Sequence, residues 1–360
     1  MTNYENQTLS SNQFTRRHFL AGMSDLGIVA AMGGLSASGI ASASGGSLNL
    51  LVYGGPILTV YNDVGDFLKK KNGYDAVTVS TAQSNASTVL AQLPRPKFDL
   101  FVDGSNVVPR YPTVYSEIAK GDVPNLGNVF PILLSQVGTL AVPTYFQSMA
   151  VVYNKKRFPT PPTLQDLTTP KFKGRWTLQG TPWLSLFAPL IMQYVGGGPR
   201  DPGPTFDWFA KAAPNLLTTY TQVTQPAQLF ANDEIDVALW FTGRAAQVAA
   251  TTALPIDWVR KPAVANIQAF GIPPGAANRA GALAFINRWL DPDVQAAAAK
   301  ATFTSPVTST ADIPEEFARR LPVYGKDELA NLTHPDWAVI SPQLPDWEKE
   351  MVKILQTVGR

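Results

Sequence analysis

Short apolar runs alternate with helix-patterned stretches along nearly all of this chain, and that rhythm restricts its fold more than any other feature. Leu48-Asn49-Leu50-Leu51-Val52-Tyr53 reads as a buried strand halted by Gly54-Gly55-Pro56. A helical pattern follows over 60–71, with Val60, Val64, Phe67 and Leu68 on one face and a lysine run before Asn72-Gly73. Strands are then predicted over 76–80 and 98–102 around a helix at 86–93. The middle repeats the rhythm with strands at 139–143, 150–153 and 235–240 and helical stretches at 164–169 and 183–195. A helix is predicted from about Arg244, then strands at 256–259 and 267–272 and a long helix at 278–290. The alternation predicts an α/β chain with a mainly parallel sheet. It runs past the size of one ordinary core, so two α/β lobes are expected. No internal repeat of solenoid period is present.

Composition removes whole classes of function. The 360 residues include no cysteine, which excludes disulfides, a thiolate nucleophile, a zinc ribbon and a cysteine-held cluster. The two histidines, His18 and His334, are far apart, so a multi-histidine metal site is excluded and neither metal nor cofactor is expected. The net charge of +2 is too small and too evenly spread for nucleic acid.

The first 43 residues read as an export signal. Arg16-Arg17 stand before Phe19-Leu20, then comes a weakly apolar stretch rich in Ala, Gly and Ser, closing on Ala41-Ser42-Ala43. Paired arginines and weak hydrophobicity resemble the twin-arginine signal, with Asp25 a departure inside the apolar stretch. The mature chain, from Ser44, has no run of 18 apolar residues, so it is expected to be exported, periplasmic and not membrane-spanning.

Tyr153-Asn154-Lys155-Lys156, the stretch from Pro161 to Leu167 and Pro170-Lys171-Phe172-Lys173-Gly174-Arg175 resemble a segment of the extracellular solute-binding proteins of ABC importers. The resemblance is nearest to the spermidine/putrescine-type branch. The segment from Gly271-Ile272-Pro273 through Phe285-Ile286-Asn287 to Asp291-Pro292-Asp293 is also similar, as is Ser305-Pro306-Val307. It implies a type 2 periplasmic-binding-protein fold, with two α/β lobes joined by a two-strand hinge. Lobe 1 would span 44–152, with 270–360 returning to it, and lobe 2 would span 153–269. A small solute would bind between the lobes, and the closed monomer would deliver it to an ABC permease in the inner membrane.

Ten residues are candidates for the ligand site. Tyr53 and Gly55 follow the first strand, where glycine admits a ligand to backbone N–H groups and tyrosine offers a flat face. Trp240 ends a strand, the place where open α/β sheets hold ligands, and the polyamine-type resemblance implies that it packs against the solute. Arg244, one turn later, suits a bidentate grip on a carboxylate, although a surface ion pair is the plainer reading. Asp103 can meet an ammonium group or cap the turn after it. Tyr145, Phe146 and Trp183 are candidate cleft walls, though aromatics at such places are more often core.

Asn266 and Gln268 carry the most information. In polyamine binders of the family these places hold an aromatic and a carboxylate. Replacing the carboxylate by an amide removes the charge that offsets ammonium desolvation. With Arg244 kept, the expected ligand carries its own carboxylate, as an amino acid, a 4-aminobutyrate-like compound or an opine does; a polyamine is the alternative. A secreted carboxylate-dependent hydrolase is a further alternative, since paired acids have no local motif. No nucleophile elbow, phosphate loop or dinucleotide fingerprint is present, and no enzyme is expected.

Overall fold

A computed structural model describes residues 45–81 and 84–358. The export signal over 1–43 and its cleavage motif lie outside the described residues.

The chain builds one sheet of ten strands among the described residues. Its order is β2-β1-β3-β9-β4-β7-β5-β6, with β8 and β10 pairing to β4. The strands are β1 (Gly46–Tyr53), β2 (Tyr74–Thr81), β3 (Leu100–Gly104), β4 (Val142–Asn154), β5 (Trp176–Gln179), β6 (Leu216–Tyr220), β7 (Val237–Phe241), β8 (Ile256–Trp258), β9 (Val264–Gly271) and β10 (Ser305–Pro306). Helix α1 (Leu58–Asn72) joins β1 to β2. Its apolar stripe of Val60, Tyr61, Val64 and Leu68 is buried, and Lys69, Lys70 and Lys71 lie in its last turn. Gly73 closes it at φ +73°, its N–H donating to the Lys69 carbonyl at 3.1 Å.

The sheet is mixed, not mainly parallel. β1 runs parallel to β2 and β3, and β5 runs parallel to β6 and β7. Between these two parallel blocks, β9 and β4 are antiparallel to each other, to β3 on one side and to β7 on the other. The end of the segment 139–143 and all of 150–153, which read as separate strands, belong to the single 13-residue strand β4, which begins only at Val142. Its middle, Thr144 to Ser148, is polar enough to read as loop. In the fold those residues pair with β9 on one side, and Tyr145 and Phe146 with β10 on the other, so their backbone groups are satisfied and their side chains are largely buried.

β4 threads two large apolar cores. Val142, Tyr145 and Phe146 pack into the first with β1, β3, α1 and helix α4 (Arg279–Trp289). Here Tyr61 stacks on Trp289 at 4.7 Å and Phe270 meets Trp289 edge-on at 5.3 Å. Met149, Val151, Val152 and Tyr153 pack into the second core with β5 and β7. Trp208, Trp289, Trp337 and Trp347 are all buried packing residues.

The expectation that 270–360 returns whole to the first half needs correction. Val323, Leu329 and Leu332 join the first core, but Trp337, Ile340, Leu344, Trp347 and Met351 join the second. The last helix, α5 (Leu344–Val358), has Leu344, Trp347 and Met351 on one face. That stripe is buried against the second core, and the Glu348 carboxylate accepts from the Leu184 and Ser185 amides at 3.3 and 2.7 Å. No described helix is long and apolar enough to cross a membrane.

Candidate functional site

At the tip of β1, Tyr53 and the glycines beyond it are anchored from β3. Asp103, only 1% exposed, accepts from the Tyr53 hydroxyl at 2.5 Å and from Ser84 Oγ at 2.9 Å. It also accepts from the amide of Ala86 at 2.9 Å, in the first turn of helix α2 (Asn85–Leu90), and from its neighbour Gly104 at 3.0 Å. Asp103 therefore caps a helix and clamps a strand tip, and its oxygens are already engaged. It caps α2, and in the turn that follows it in sequence it meets only the adjacent Gly104 amide.

Burial pushes the Asp103 carboxyl above the ordinary aspartate range, against the opposing effect of its four donors. A carboxyl whose folded pKa exceeds its unfolded value holds its proton more tightly when folded. Its contribution to stability is greatest below the unfolded pKa and falls as pH rises towards the folded one. The stability of the natural chain relative to Asp103→Asn is therefore expected to decline between about pH 4 and neutrality. Urea unfolding of both proteins across that range checks the sign, and a difference growing with pH would show a depressed pKa.

Helix α3 (Thr242–Thr251) begins directly after β7 and is tied to β4. Thr242 Oγ1 accepts from the Ser148 amide at 3.1 Å and donates to the Ser148 carbonyl at 3.0 Å. The Gly243 amide donates to Gln147 Oε1 at 3.1 Å. These bonds fix the first turn of α3, and so they fix Arg244. The half-buried Arg244 donates Nη1–H to Gln247 Oε1 at 3.0 Å, and among the described residues no carboxylate lies within ion-pair distance of it. Burial pulls its pKa below the ordinary arginine value, with Tyr145 acting the other way. Guanidinium remains charged at neutral pH regardless. The surface ion pair that was the plainer reading of Arg244 is absent among the described residues.

Arg244 faces the tip of β1. Gly55 has φ +102°, and a Cβ placed on it would stand 3.4 Å from Arg244 Nη2. Glycine is thus favoured there by the backbone angle, while the guanidinium would stand at ordinary van der Waals distance from an added Cβ. Tyr145 adjoins the same arginine. Its hydroxyl is pushed up to about 12, by burial first and despite the Arg244 charge, so it stays a neutral donor.

An amide ladder on β4 and β9 completes the group. Tyr145 pairs with Gln268 and Gln147 with Asn266 across the strands. Asn266 Oδ1 receives Gln147 Nε2 at 3.4 Å and Gln268 Nε2 at 3.3 Å, both long. Gln268 Oε1 is buried with no donor among the described residues. Such an orphan acceptor is uncommon in folded proteins and costly to leave unpaired.

The fold thus brings together Tyr53, Gly55, Tyr145, Arg244, Asn266 and Gln268, with Asp103 behind Tyr53. It does not bring the other three into the group. Phe146 is fully buried in the first core, and Trp240 is fully buried in the second with its Nε1–H donating to the Val223 carbonyl at 2.8 Å. Both are packing residues here: every residue of β7 lies in the second core, and Phe146 packs within the first. Trp183 is half-buried against the second core at the start of a short 3-10 turn. Gln147 and Gln247 were missed by sequence reasoning. Gln147 lies two residues beyond Tyr145, on the same face of a strand, but its segment does not read as strand.

Chemically, the group offers one uncompensated cation, neutral hydroxyls and amides, and no free carboxylate among the residues named. A carboxylate finds a partner there and a bare ammonium does not.

A family model described as bacterial extracellular solute-binding protein matches residues 64–322. No curated protein matches the chain. Among solved structures, an ABC transporter substrate-binding protein of Bradyrhizobium japonicum USDA 110 is 20% identical with a TM-score of 0.71, covering 86% of this chain and all of that one (100%). The PBP AgtB of A. tumefaciens R10, in complex with agropinic acid, is 18% identical at 0.68, covering 86% and 99%. A structure from Listeria monocytogenes assigned to a spermidine/putrescine ABC transporter is 19% identical at 0.67, covering 86% and 98%. The mixed α/β fold is that of these solute-binding structures, and the spermidine/putrescine type is one among several similar to it.

Proposed function

We propose, since this chain belongs to the family of bacterial extracellular solute-binding proteins, that it captures a small amine-bearing carboxylate and delivers it to an ABC permease. The ligand class is an amino-acid-like or opine-like compound. The observation that carries this reading is Arg244, half-buried beside neutral Tyr145 and facing Gly55, with no carboxylate partner among the described residues. A partly desolvated guanidinium without a counter-ion gains most from an anion that the site itself does not supply. The Asn266, Gln268 and Gln147 amides would take the ligand's hydroxyl or amine groups without requiring full charge. The structural relative that holds agropinic acid supports an acid as ligand.

Two lobes would close on the solute, one of 44–152 with the return after 270, the other of 153–269. The second lobe carries helix α5 as well, on the evidence of its buried face. β4 and β9 would form the hinge, and ligand bridging the β1 tip to the start of α3 would favour the closed form. Export by the twin-arginine route to the periplasm and action as a monomer complete the reading.

A polyamine is disfavoured because Asp103, the nearest candidate carboxylate, is already saturated by four donors. The hydrolase alternative lacks a pair of free acids in this group of residues.

A thermal-melt panel on residues 44–360 tests the reading, with amino acids, 4-aminobutyrate, opines, polyamines and sugars each in excess. A ligand at a hundred times its Kd raises stability by about 2.7 kcal/mol, a visible shift. The expected result is a shift with one or more carboxylate-bearing amines. A shift confined to polyamines would overturn the assignment of Asn266 and Gln268.

A further inference from the structure

A cavity of about 630 Å³ opens between α3, β8 and the segment 319–332, and it shares no residue with the group around Arg244. Its lining residues include five cations, Lys155, Arg260, Lys261, Arg319 and Arg320, against two acids, Asp257 and Glu328, a net of +3. The acids are partly committed. Asp257 pairs with Arg260 at 2.9 Å, and Glu328 accepts the Tyr324 amide at 2.7 Å. Arg319 pairs with Glu315 outside the lining. Lys155, Lys261 and Arg320 have no carboxylate within ion-pair distance among the described residues.

Apart from Ser148 and Asn331, the rest of the wall is apolar. Ala246 and Ala249 come from a different face of α3 than Arg244, and Leu321, Val323 and Trp258 close the other sides. The Arg260 guanidinium lies 4.1 Å from the centre of the Trp258 ring, which holds that ring at the wall. A concave, partly apolar wall with an excess of one sign of charge concentrates the field inside it. The volume falls within the range that takes a drug-sized molecule. A bare inorganic anion would leave the apolar wall unused, and a neutral apolar molecule would leave three cations without an anion, Arg320 keeping only its contacts to the Phe303 and Phe317 rings.

From this we propose a second ligand site, for a small amphipathic anion that places its charged group among Lys155, Lys261 and Arg320 and its apolar body against Trp258 and α3. It goes beyond the transport reading and does not depend on it.

The probe is 1-anilinonaphthalene-8-sulfonate, added to residues 44–360 and followed by its fluorescence, with its uncharged relative N-phenyl-1-naphthylamine as comparison. Saturable binding of the sulfonate is expected, at least about tenfold weaker in the double variant Lys155→Gln/Lys261→Gln. Both lysines are exposed and unpaired, so the variant should fold. The Trp258 indole resonance, identified by its loss in Trp258→Phe, should move during titration of nitrogen-15-labelled protein, and Arg244→Ala should bind the probe as the natural chain does. Equal binding by the double variant, equal binding of the uncharged relative, loss of binding in Arg244→Ala, an unmoved Trp258 resonance or no saturable binding would each overturn the proposal.

Discussion

Arg244→Ala is expected to cost about 2–5 kcal/mol of binding for a carboxylate ligand, the range for truncating one partner of a buried, hydrogen-bonded charge pair. In calorimetry that is a loss of about thirtyfold to several thousandfold in affinity. The fold should be unaffected. The side chain donates only to Gln247 among the described residues, it joins no ion pair there, and α3 is anchored through Thr242 and Gly243 instead. Arg244→Lys should recover little, because a single ammonium cannot reproduce the two parallel donors of a guanidinium. Unchanged affinity in Arg244→Ala, with the melt also unchanged, would remove the carboxylate grip from the mechanism.

The second large effect falls on stability. Trp240→Ala should destabilise the protein by about 3–5 kcal/mol, the usual range for deleting a fully buried tryptophan. The side chain has no solvent exposure, and its indole N–H is committed to the Val223 carbonyl at 2.8 Å. Trp240→Phe should cost less, chiefly the lost hydrogen bond of about 1 kcal/mol and some volume. Denaturant unfolding measures both. Affinity measured well below the melting temperature should change little. A ligand-affinity loss without a stability loss would instead put Trp240 in contact with solute.

These two residues show where the sequence was sufficient and where it was not. Both are named by the same local signal, a strand end running into a helix start, which is where α/β sheets place ligands. That signal marks a region and does not say which side chain faces solvent. Arg244 and Trp240 part company because the first turn of α3 leaves one half-exposed while β7, whose five residues all lie in the second core, buries the other. Asn266 and Gln268 were legible as a departure from the polyamine pattern, since two amides in an apolar strand stand out in any register. Gln147 was not, because polar residues in the middle of β4 look like a loop until β9 and β10 are placed on either side.

The sequence by itself determined the alternation of strand and helix, most element positions, the lysine-glycine ending of α1 and the residue types available for a site. These depend on side-chain period and turn chemistry within a few neighbouring residues, which are local properties. Tertiary structure alone decided that the sheet is mixed, that β4 is one strand crossing two cores, and that α5 leaves the first core for the second. It alone brought Gly55 to within van der Waals reach of the Arg244 guanidinium. Each of these is a pairing between segments far apart in the chain, and a period of two or of 3.6 names a face without naming what that face will meet.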